Sequence, residues 1–279
     1  MYQMCQESVQ AYMFYLLEQE RSSATIEKYK RALTLFYQWL QEGKMVDKVS
    51  VIRYKEQLAQ QFAPASVNTT LAAMNSFFRF QGWMDCVVKS LHIQRRVFAS
   101  ADKELSREEY QRLVSAARQK KDTRLALLLQ LMASTGIRVS EVRYVTVEAI
   151  RKKAIQVRLK GKIRTILLPD QLCCGLEQYR KEQKIKSGPL FLTRKGRPMD
   201  RKEIWAQMKR LCPAAGVSEK KVFPHNLRHL FARCFYSMQK DIAKLADVLG
   251  HSSIETTRIY LLSSGQEHRQ LLERLCLLC

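Results

Sequence analysis

Acidic side chains are scarce in this chain compared with basic ones. Its 279 residues include 48 Lys and Arg but only 26 Asp and Glu, which gives a formal net charge of +22. Most of the excess lies in residues 101–279, which hold 36 basic and 18 acidic side chains. Such a field favours a polyanionic partner, because each neutralised phosphate releases condensed counterions. We therefore expect the chain to bind nucleic acid.

A long apolar run and a secretory leader are also missing. The longest apolar stretch, residues 125–133, is much shorter than the ~20 residues that span a bilayer. No basic segment precedes the apolar residues of the N-terminus, and Glu7 lies among them, which argues against a signal peptide. These absences predict a protein with no membrane partner, located in the cytoplasm. Together with the expected nucleic-acid partner, they predict association with the nucleoid.

The chain lacks a regular cysteine framework as well. Its eight cysteines are scattered, and only Cys276 and Cys279 have C-x-x-C spacing, without a second pair. This pattern argues against a zinc module and a disulfide scaffold, and it favours reduced thiols.

Apolar residues recur at helical spacing through the first hundred residues. The periodicity predicts helices over residues 5–19, 24–41, 49–60 and 65–80. We therefore expect an all-helical domain over residues 1–95. A basic stretch without periodicity follows and predicts a linker over residues 96–104.

Residues 105–279 read as a second domain in which helices accompany a small sheet. Ser106 and Glu109 form a capping box that begins a helix, and residues 122–134 follow as a buried helix. Further helices are predicted over residues 200–211, 224–239, 241–249 and 254–263, and a Leu-rich segment follows over residues 266–278.

Two β-rich runs flank Lys160-Gly161-Lys162 within residues 154–169, and this pattern predicts a hairpin. Residues 190–199 predict one more short strand.

Three short segments carry residues suited to chemistry. They are "TGIR" (135–138), "HNLRH" (225–229) and "LGHSSIETTRIY" (249–260). His225 and His229 have the four-residue spacing of a zinc helix, but no Glu follows the first His and no third ligand is evident. The sequence therefore predicts no metal site, and His229 is expected to pack or hydrogen-bond within its domain.

In this order, and with a lysine-bearing hairpin between the first two, these segments resemble the tyrosine recombinase (phage integrase) family. A pattern of the kind SxxTxxxYxxxLxxF at residues 22–36 extends the similarity to the N-terminal part. The resemblance implies a mainly α fold with a small β-sheet. It also implies a helical N-terminal core-binding (SAM-like) domain that clamps DNA, followed by an α+β tyrosine recombinase catalytic domain.

The resemblance also implies the catalytic residues, which are Arg138, Lys160, His225, Arg228, His251 and Tyr260. The family's hairpin often reads Lys-Gly-x-Lys-x-Arg, whereas the segment from Lys160 to Arg164 is one residue shorter. Lys162 therefore remains an alternative to Lys160. Glu141 lies one turn after Arg138 and either orients it or is solvated.

These residue types suit cleavage of a phosphodiester. Two guanidinium groups, those of Arg138 and Arg228, can clamp the non-bridging oxygens as negative charge develops. A phenol has an ordinary pKa of about 10, so it needs a base or a cationic pocket to attack near neutral pH. His225 can take that proton or steady the phosphate, and His251 can donate a hydrogen bond to it. Lys160 is expected to protonate the leaving 5′-oxygen, and no metal or nucleotide cofactor is required.

The resemblance thus implies a site-specific DNA recombinase that exchanges strands in the manner of an integrase or excisionase, through a 3′-phosphotyrosyl intermediate. Double-stranded DNA is the expected partner. The chain is also expected to assemble with itself, as a tetramer on two DNA sites through residues 266–278, unless that segment folds back on its own domain. Two alternatives remain open: a type IB-like topoisomerase, and a non-catalytic DNA-binding protein with an architectural or regulatory role.

Overall fold

A computed structural model describes residues 1–41, 43–93, 103–159, 162–251 and 253–261 of the chain. The chain divides into two compact units, Met1–Arg95 and Arg96–Cys279. Three predictions fall outside the described residues: most of the linker 96–104, Lys160, and the C-terminal segment 266–278. The domain limits drawn from the sequence stay a prediction.

The first unit is a bundle of four helices. These are α1 (Gln6–Glu18), α2 (Ser23–Trp39), α3 (Lys48–Gln61) and α4 (Pro64–Phe80). All four predicted helices are confirmed, to within two residues at each end. The side chains excluded from solvent in their shared core include Leu33, Phe36, Leu71, Phe77 and Phe78. Two short strands, β1 (Tyr2–Gln3) and β2 (Met45–Val46), pair antiparallel at the start of the bundle and were not predicted.

The second unit is built mainly from helices around a large apolar cluster, with a smaller cluster that includes Leu245, Leu249 and Tyr260. The helices are α5 (Arg107–Gln119), α6 (Thr123–Thr135), α7 (Val147–Arg151), α8 (Asp170–Glu182), α9 (Arg201–Lys209), α10 (Cys212–Ala215), α11 (Pro224–Gln239), α12 (Ile242–Leu249) and α13 (Ile254–Arg258). Helix α6 is buried along most of its length and packs against α5, α8 and α11. The predicted capping box at the start of α5 is confirmed, since Ser106 and Glu109 exchange side chain-to-backbone hydrogen bonds.

The hairpin prediction is confirmed. Strands β3 (Ala154–Leu159) and β4 (Lys162–Leu167) pair antiparallel, with Leu159 opposite Lys162. The strand expected at 190–199 is wrong, because the described residues there form only isolated bridges, such as the one between Leu192 and Pro198.

Helix α8 was missed by the sequence reading. Its sequence contains Gly175, a poor helix former, and two adjacent cysteines. Nevertheless, Leu172, Leu176 and Tyr179 recur at helical spacing and are buried.

The fold class predicted from the sequence is confirmed: a mainly helical chain with a small sheet, in two parts. Among the helices of the described ranges, none combines the length and the apolar character needed to cross a membrane.

Candidate active site

Three arginines converge on the C-terminal end of α12. Three consecutive carbonyls there accept hydrogen bonds: Val248 O from Arg164 Nη2 (3.0 Å), Leu249 O from Arg228 Nη2 (2.8 Å) and Gly250 O from Arg138 Nη2 (3.3 Å). The last carbonyls of a helix lack intrahelical partners and carry partial negative charge, so cations are favoured beside them. The end of one short helix therefore gathers three guanidinium groups that are distant in sequence.

Arg138 is fixed by the turn that follows α6. That helix ends at Gly136, whose φ of 61° is left-handed, and Arg138 then caps the 3₁₀ turn Val139–Tyr144. The buried carboxylate of Glu141 accepts from the Arg138 backbone N–H (2.9 Å) and from Arg138 Nη1 (3.0 Å). Of the two interpretations of Glu141, the structure therefore supports the one in which it orients Arg138.

Arg164 was not singled out by the sequence reading. It lies on β4, its side chain is 12% exposed, and Nη1 donates to both oxygens of Glu141 at 3.1 and 3.3 Å. Burial lowers the pKa of Arg164 to about 10. Repulsion from Arg228 and Arg138 also lowers it, whereas the attraction of Glu141 raises it. The alternation along β4 could have predicted its burial, because Arg164 lies two residues before the buried Ile166 and so points to the same face of the strand.

Arg228 is buried in the same place, with a relative exposure of 2%. Besides Leu249 O, its guanidinium binds the carbonyl of Gly136. Its Nη2 lies 2.8 Å from His251 Nε2, and its Nε donates to the Tyr260 hydroxyl at 3.4 Å. Burial, with repulsion from Arg138, lowers the pKa of Arg228. The three arginines and Glu141 leave a net charge of +2 around this point, which suits a phosphate ligand.

Tyr260 is enclosed by three imidazoles. It follows α13 directly and is 5% exposed. Its ring centroid lies 5.5 Å from that of His225, 4.4 Å from His229 and 5.5 Å from His251, and the His251 ring stacks on it with 11° between the planes. His229 thus packs within its domain, as expected.

The surroundings of the three imidazoles lower their pKa values and so favour the uncharged form. Burial lowers the pKa of His229 to about 4, aided by His225 and Arg233. Burial also lowers the pKa of His251 to about 4, aided by Arg228 and Arg138. The pKa of His225 is lowered by desolvation and by nearby arginines, although its side chain reaches the surface. A neutral imidazole at the surface can accept a proton.

A cleft of about 720 Å³ opens onto this group, and Arg138, His225, Arg228 and Tyr260 all line it. Helix α9 adds Arg201, Lys202 and Trp205 to its wall. With His251 hydrogen-bonded to Arg228, the structure brings together five of the six residues predicted from the sequence. Lys160 lies outside the described residues. Within the described part of the chain, no cluster of three potential metal-ligating side chains is found.

Two family models match the chain. The phage integrase family model matches residues 103–267, and the model of the phage integrase N-terminal SAM-like domain matches residues 9–83. The chain belongs to the phage integrase family. The predicted family and enzyme class, a site-specific recombinase of the tyrosine type, are confirmed at this level.

The chain is similar over almost its full length to a tyrosine recombinase of this family. It is 29% identical to tyrosine recombinase XerA of Pyrococcus furiosus, across 98% of this chain and 95% of that protein.

Two solved structures share the fold at low identity. One is a lambda integrase tetramer bound to a Holliday junction (TM-score 0.74, 16% identity, 91% of this chain and 76% of that chain). The other is the XerH site-specific recombinase bound to its difH substrate (TM-score 0.69, 19% identity, 96% of this chain and 84% of that chain).

Proposed function

We propose that this protein cleaves one strand of duplex DNA with Tyr260 and rejoins it to a partner strand at a specific site. One observation carries the proposal: the Tyr260 hydroxyl lies 3.4 Å from Nε of the buried Arg228, in a cleft that Arg138 and His225 also line. Phosphoryl transfer without a metal requires at least a nucleophile and cationic groups that bind the phosphate beside it.

Arg138 and Arg228 bind the non-bridging oxygens of the scissile phosphate. Their guanidinium groups are already oriented by Glu141 and by the carbonyls at the end of α12. Donors that are in place before the reaction stabilise the developing negative charge without reorganising during the step. Glu141 contributes by holding Arg138 and does not itself touch the phosphate.

The Tyr260 oxygen attacks phosphorus, and its proton passes to His225. A bond forms between the phenolic oxygen and phosphorus while the bond between phosphorus and the 5′-oxygen breaks. The 5′-oxygen takes a proton from the hairpin lysine, Lys160, and leaves as a hydroxyl. The resulting 3′-phosphotyrosyl link conserves the energy of the phosphodiester bond, so a 5′-hydroxyl from a partner strand can attack phosphorus, form the new phosphodiester and release Tyr260.

Exchange of strands between two DNA duplexes requires several copies of the protein to act together. Four copies act on two DNA sites, the N-terminal unit contributes to clamping the duplex, and residues 266–278 dock on a neighbouring copy. The DNA-bound tetramer of lambda integrase supports this assembly by similarity of fold. Because its substrate is DNA, the protein works in the cytoplasm, at the nucleoid.

Covalent trapping tests the proposal. The protein is mixed with randomised duplexes that carry a nick, so that the cleaved end diffuses away, and DNA that stays attached after denaturation is sequenced. We expect an adduct on a recurring, roughly palindromic sequence. Tyr260→Phe should form none while binding DNA as well as the wild type. Tyr236→Phe, which removes a hydroxyl on α11 outside the cleft lining, should behave as wild type.

Two other outcomes would contradict the proposal. Adducts without sequence preference would indicate a type IB-like topoisomerase. Tight, salt-sensitive binding with no adduct would indicate a DNA-binding protein without this chemistry.

A further inference from the structure

His251 is held by hydrogen bonds on both ring nitrogens. Its Nε2 lies 2.8 Å from Arg228 Nη2, and its Nδ1 lies 2.8 Å from the Oγ1 of Thr257. A guanidinium only donates, so Nε2 must be the acceptor of the first bond. The neutral ring then carries its proton on Nδ1, and Nδ1 donates to the Thr257 hydroxyl.

With its proton on Nδ1, the His251 ring cannot donate a hydrogen bond from Nε2 to a phosphate. A phosphodiester oxygen only accepts hydrogen bonds, so His251 can donate to it only when Nε2 carries the proton. In the DNA-free protein, Nε2 is the nitrogen that faces Arg228 and it has no proton. The proton must therefore sit on a different nitrogen when the substrate is bound, and the partner of Nδ1 must then tolerate an unprotonated nitrogen.

Thr257 has the chemistry that both states require. A hydroxyl can accept from Nδ1–H in one state and donate to an unprotonated Nδ1 in the other, simply by rotating. The Thr257 side chain is fully buried, and His251 Nδ1 is its polar partner among the described residues. Thr257 also lies three residues before Tyr260, so the same short segment carries the partner of His251 and the nucleophile.

We infer that Thr257 is a positioning residue that holds the His251 ring in place whichever of its two nitrogens carries the proton. In the free protein Thr257 accepts from Nδ1–H. When a phosphodiester oxygen replaces Arg228 as the partner of Nε2, the ring proton moves from Nδ1 to Nε2 by exchange with solvent, and the Thr257 hydroxyl donates to Nδ1. No net proton is gained or lost. The second half of this inference rests on the proposed strand cleavage.

The chain offers a matched set of variants. Thr257→Val removes the hydroxyl at nearly constant volume, and Thr257→Ser keeps it. Thr256→Val makes the same chemical change one residue earlier, where the side chain is exposed. Thermal unfolding of each variant shows whether the fold is retained.

The first readout is the protonation of each ring nitrogen by ¹⁵N NMR. The sequence has only five histidines, so single substitutions can assign their signals. In the free wild type we expect His251 with its proton on Nδ1. In the Tyr260→Phe protein bound to a nicked duplex we expect the proton on Nε2. Thr257→Val removes the partner of Nδ1, so the Nδ1 signal should shift in the free protein and the fraction of His251 with its proton on Nε2 should fall in the complex, whereas Thr257→Ser and Thr256→Val should match the wild type.

The second readout is the single-turnover rate of adduct formation. Hydrogen-bond partners of metal-binding histidines typically contribute ~10–100-fold, and we expect a loss of the same order in Thr257→Val. Thr257→Ser should stay close to the wild-type rate, and Thr256→Val should equal it.

The results separate the inference from the proposed function. A free wild type with the His251 proton on Nε2 would overturn the inference without any variant. So would a Thr257→Val protein with an unchanged Nδ1 signal and an unchanged rate. If no protein in the set, including the wild type, forms an adduct, the proposed cleavage is refuted, while the NMR of the free proteins still decides whether Thr257 holds the His251 ring.

Discussion

Glu141 is a buried carboxylate that binds two arginines, so its charge has a defined structural role. It pairs with Arg138 at 3.0 Å and with Arg164 at 3.1 Å, and its side chain is 1% exposed. Neutralising one member of a buried charge network leaves the others unpaired in a poorly solvated place. The single residue thus determines both stability and the orientation of the phosphate clamp.

We predict that Glu141→Gln lowers the free energy of unfolding by about 3–5 kcal/mol and slows adduct formation. Urea denaturation and single-turnover trapping measure the two effects. The matched control is Asp170→Asn, because Asp170 pairs with Lys153 while both side chains are more than half exposed. An exposed pair contributes at most about 1 kcal/mol. Equal losses in the two variants would refute the role given to Glu141.

His229 makes stability depend on pH. Its pKa is lowered from 6.5 to about 4 in the folded protein, by burial and by the nearby His225, Arg233 and Arg228. Below pH 6.5 the unfolded chain binds a proton at this position that the folded protein does not bind, so the unfolded state gains stability. The contribution of His229 is therefore complete above pH 6.5 and is lost as the pH falls toward 4.

We predict that His229→Phe, which keeps a ring against Tyr260, weakens the fall in stability between pH 6.5 and pH 4. Urea unfolding at a series of pH values measures it. His251, whose pKa is also lowered to about 4, should account for part of the fall that remains. An identical pH dependence in wild type and variant would contradict the prediction.

At the scale of elements, the end of α12 determines how the site is assembled. The helix stops at Gly250, whose φ of 62° is left-handed. A Cβ at this position would lie 2.4 Å from Cδ and 2.8 Å from Nε of Arg164. The glycine therefore serves two purposes: it ends the helix just before His251, and it lets β4 approach closely enough for Arg164 to reach Val248 and Glu141.

We predict that Gly250→Ala strongly reduces both stability and adduct formation. Gly216→Ala is the matched control, because Gly216 has a φ of 58° at the end of α10 but nothing within 4 Å of its Cβ position. That control should show only the cost of a left-handed alanine, about 1–2 kcal/mol, and should retain activity. Thermal unfolding and covalent trapping compare the two, and equal effects would show that the contact with Arg164 is unimportant.

At the scale of the whole molecule, charge governs how the protein meets DNA. The net charge of +22 resides mostly in residues 101–279, and the cleft wall carries Arg201 and Lys202 beside Arg138. When phosphate neutralisation drives binding, the logarithm of the binding constant falls linearly with the logarithm of the salt concentration. A protein that contacts six to ten phosphates loses ~10³–10⁵ in affinity between 50 and 200 mM salt.

We predict a salt dependence of this order for binding to duplex DNA, measured by fluorescence anisotropy across that range. Lys202→Gln should make the slope shallower by about 0.9, the value for one phosphate contact. Lys153→Gln should leave the slope unchanged, since the Lys153 ammonium already pairs with Asp170 at 2.7 Å. A slope close to zero, or equal changes in the two variants, would contradict this account.

The sequence by itself determined most of the long helices, the hairpin and the family. Helical spacing placed α1–α4, the capping residues Ser106 and Glu109 placed the start of α5, and the motifs around Arg138, Arg228 and Tyr260 indicated the chemistry. These features depend on residues close together in the chain, where periodicity and turn chemistry leave a visible pattern. The missed helix α8 and the wrong strand at 190–199 mark where that pattern is weak.

Only the tertiary structure decided how the site is held together. The meeting of Arg164 with Glu141, the placing of three arginines on the end of α12, and the contact of Thr257 with His251 join segments of different elements. Arg164 and Arg228 are 64 positions apart in the sequence, so no local spacing relates them. Their proximity results from packing β4 and α11 against one helix end, where buried donors must find the free carbonyls.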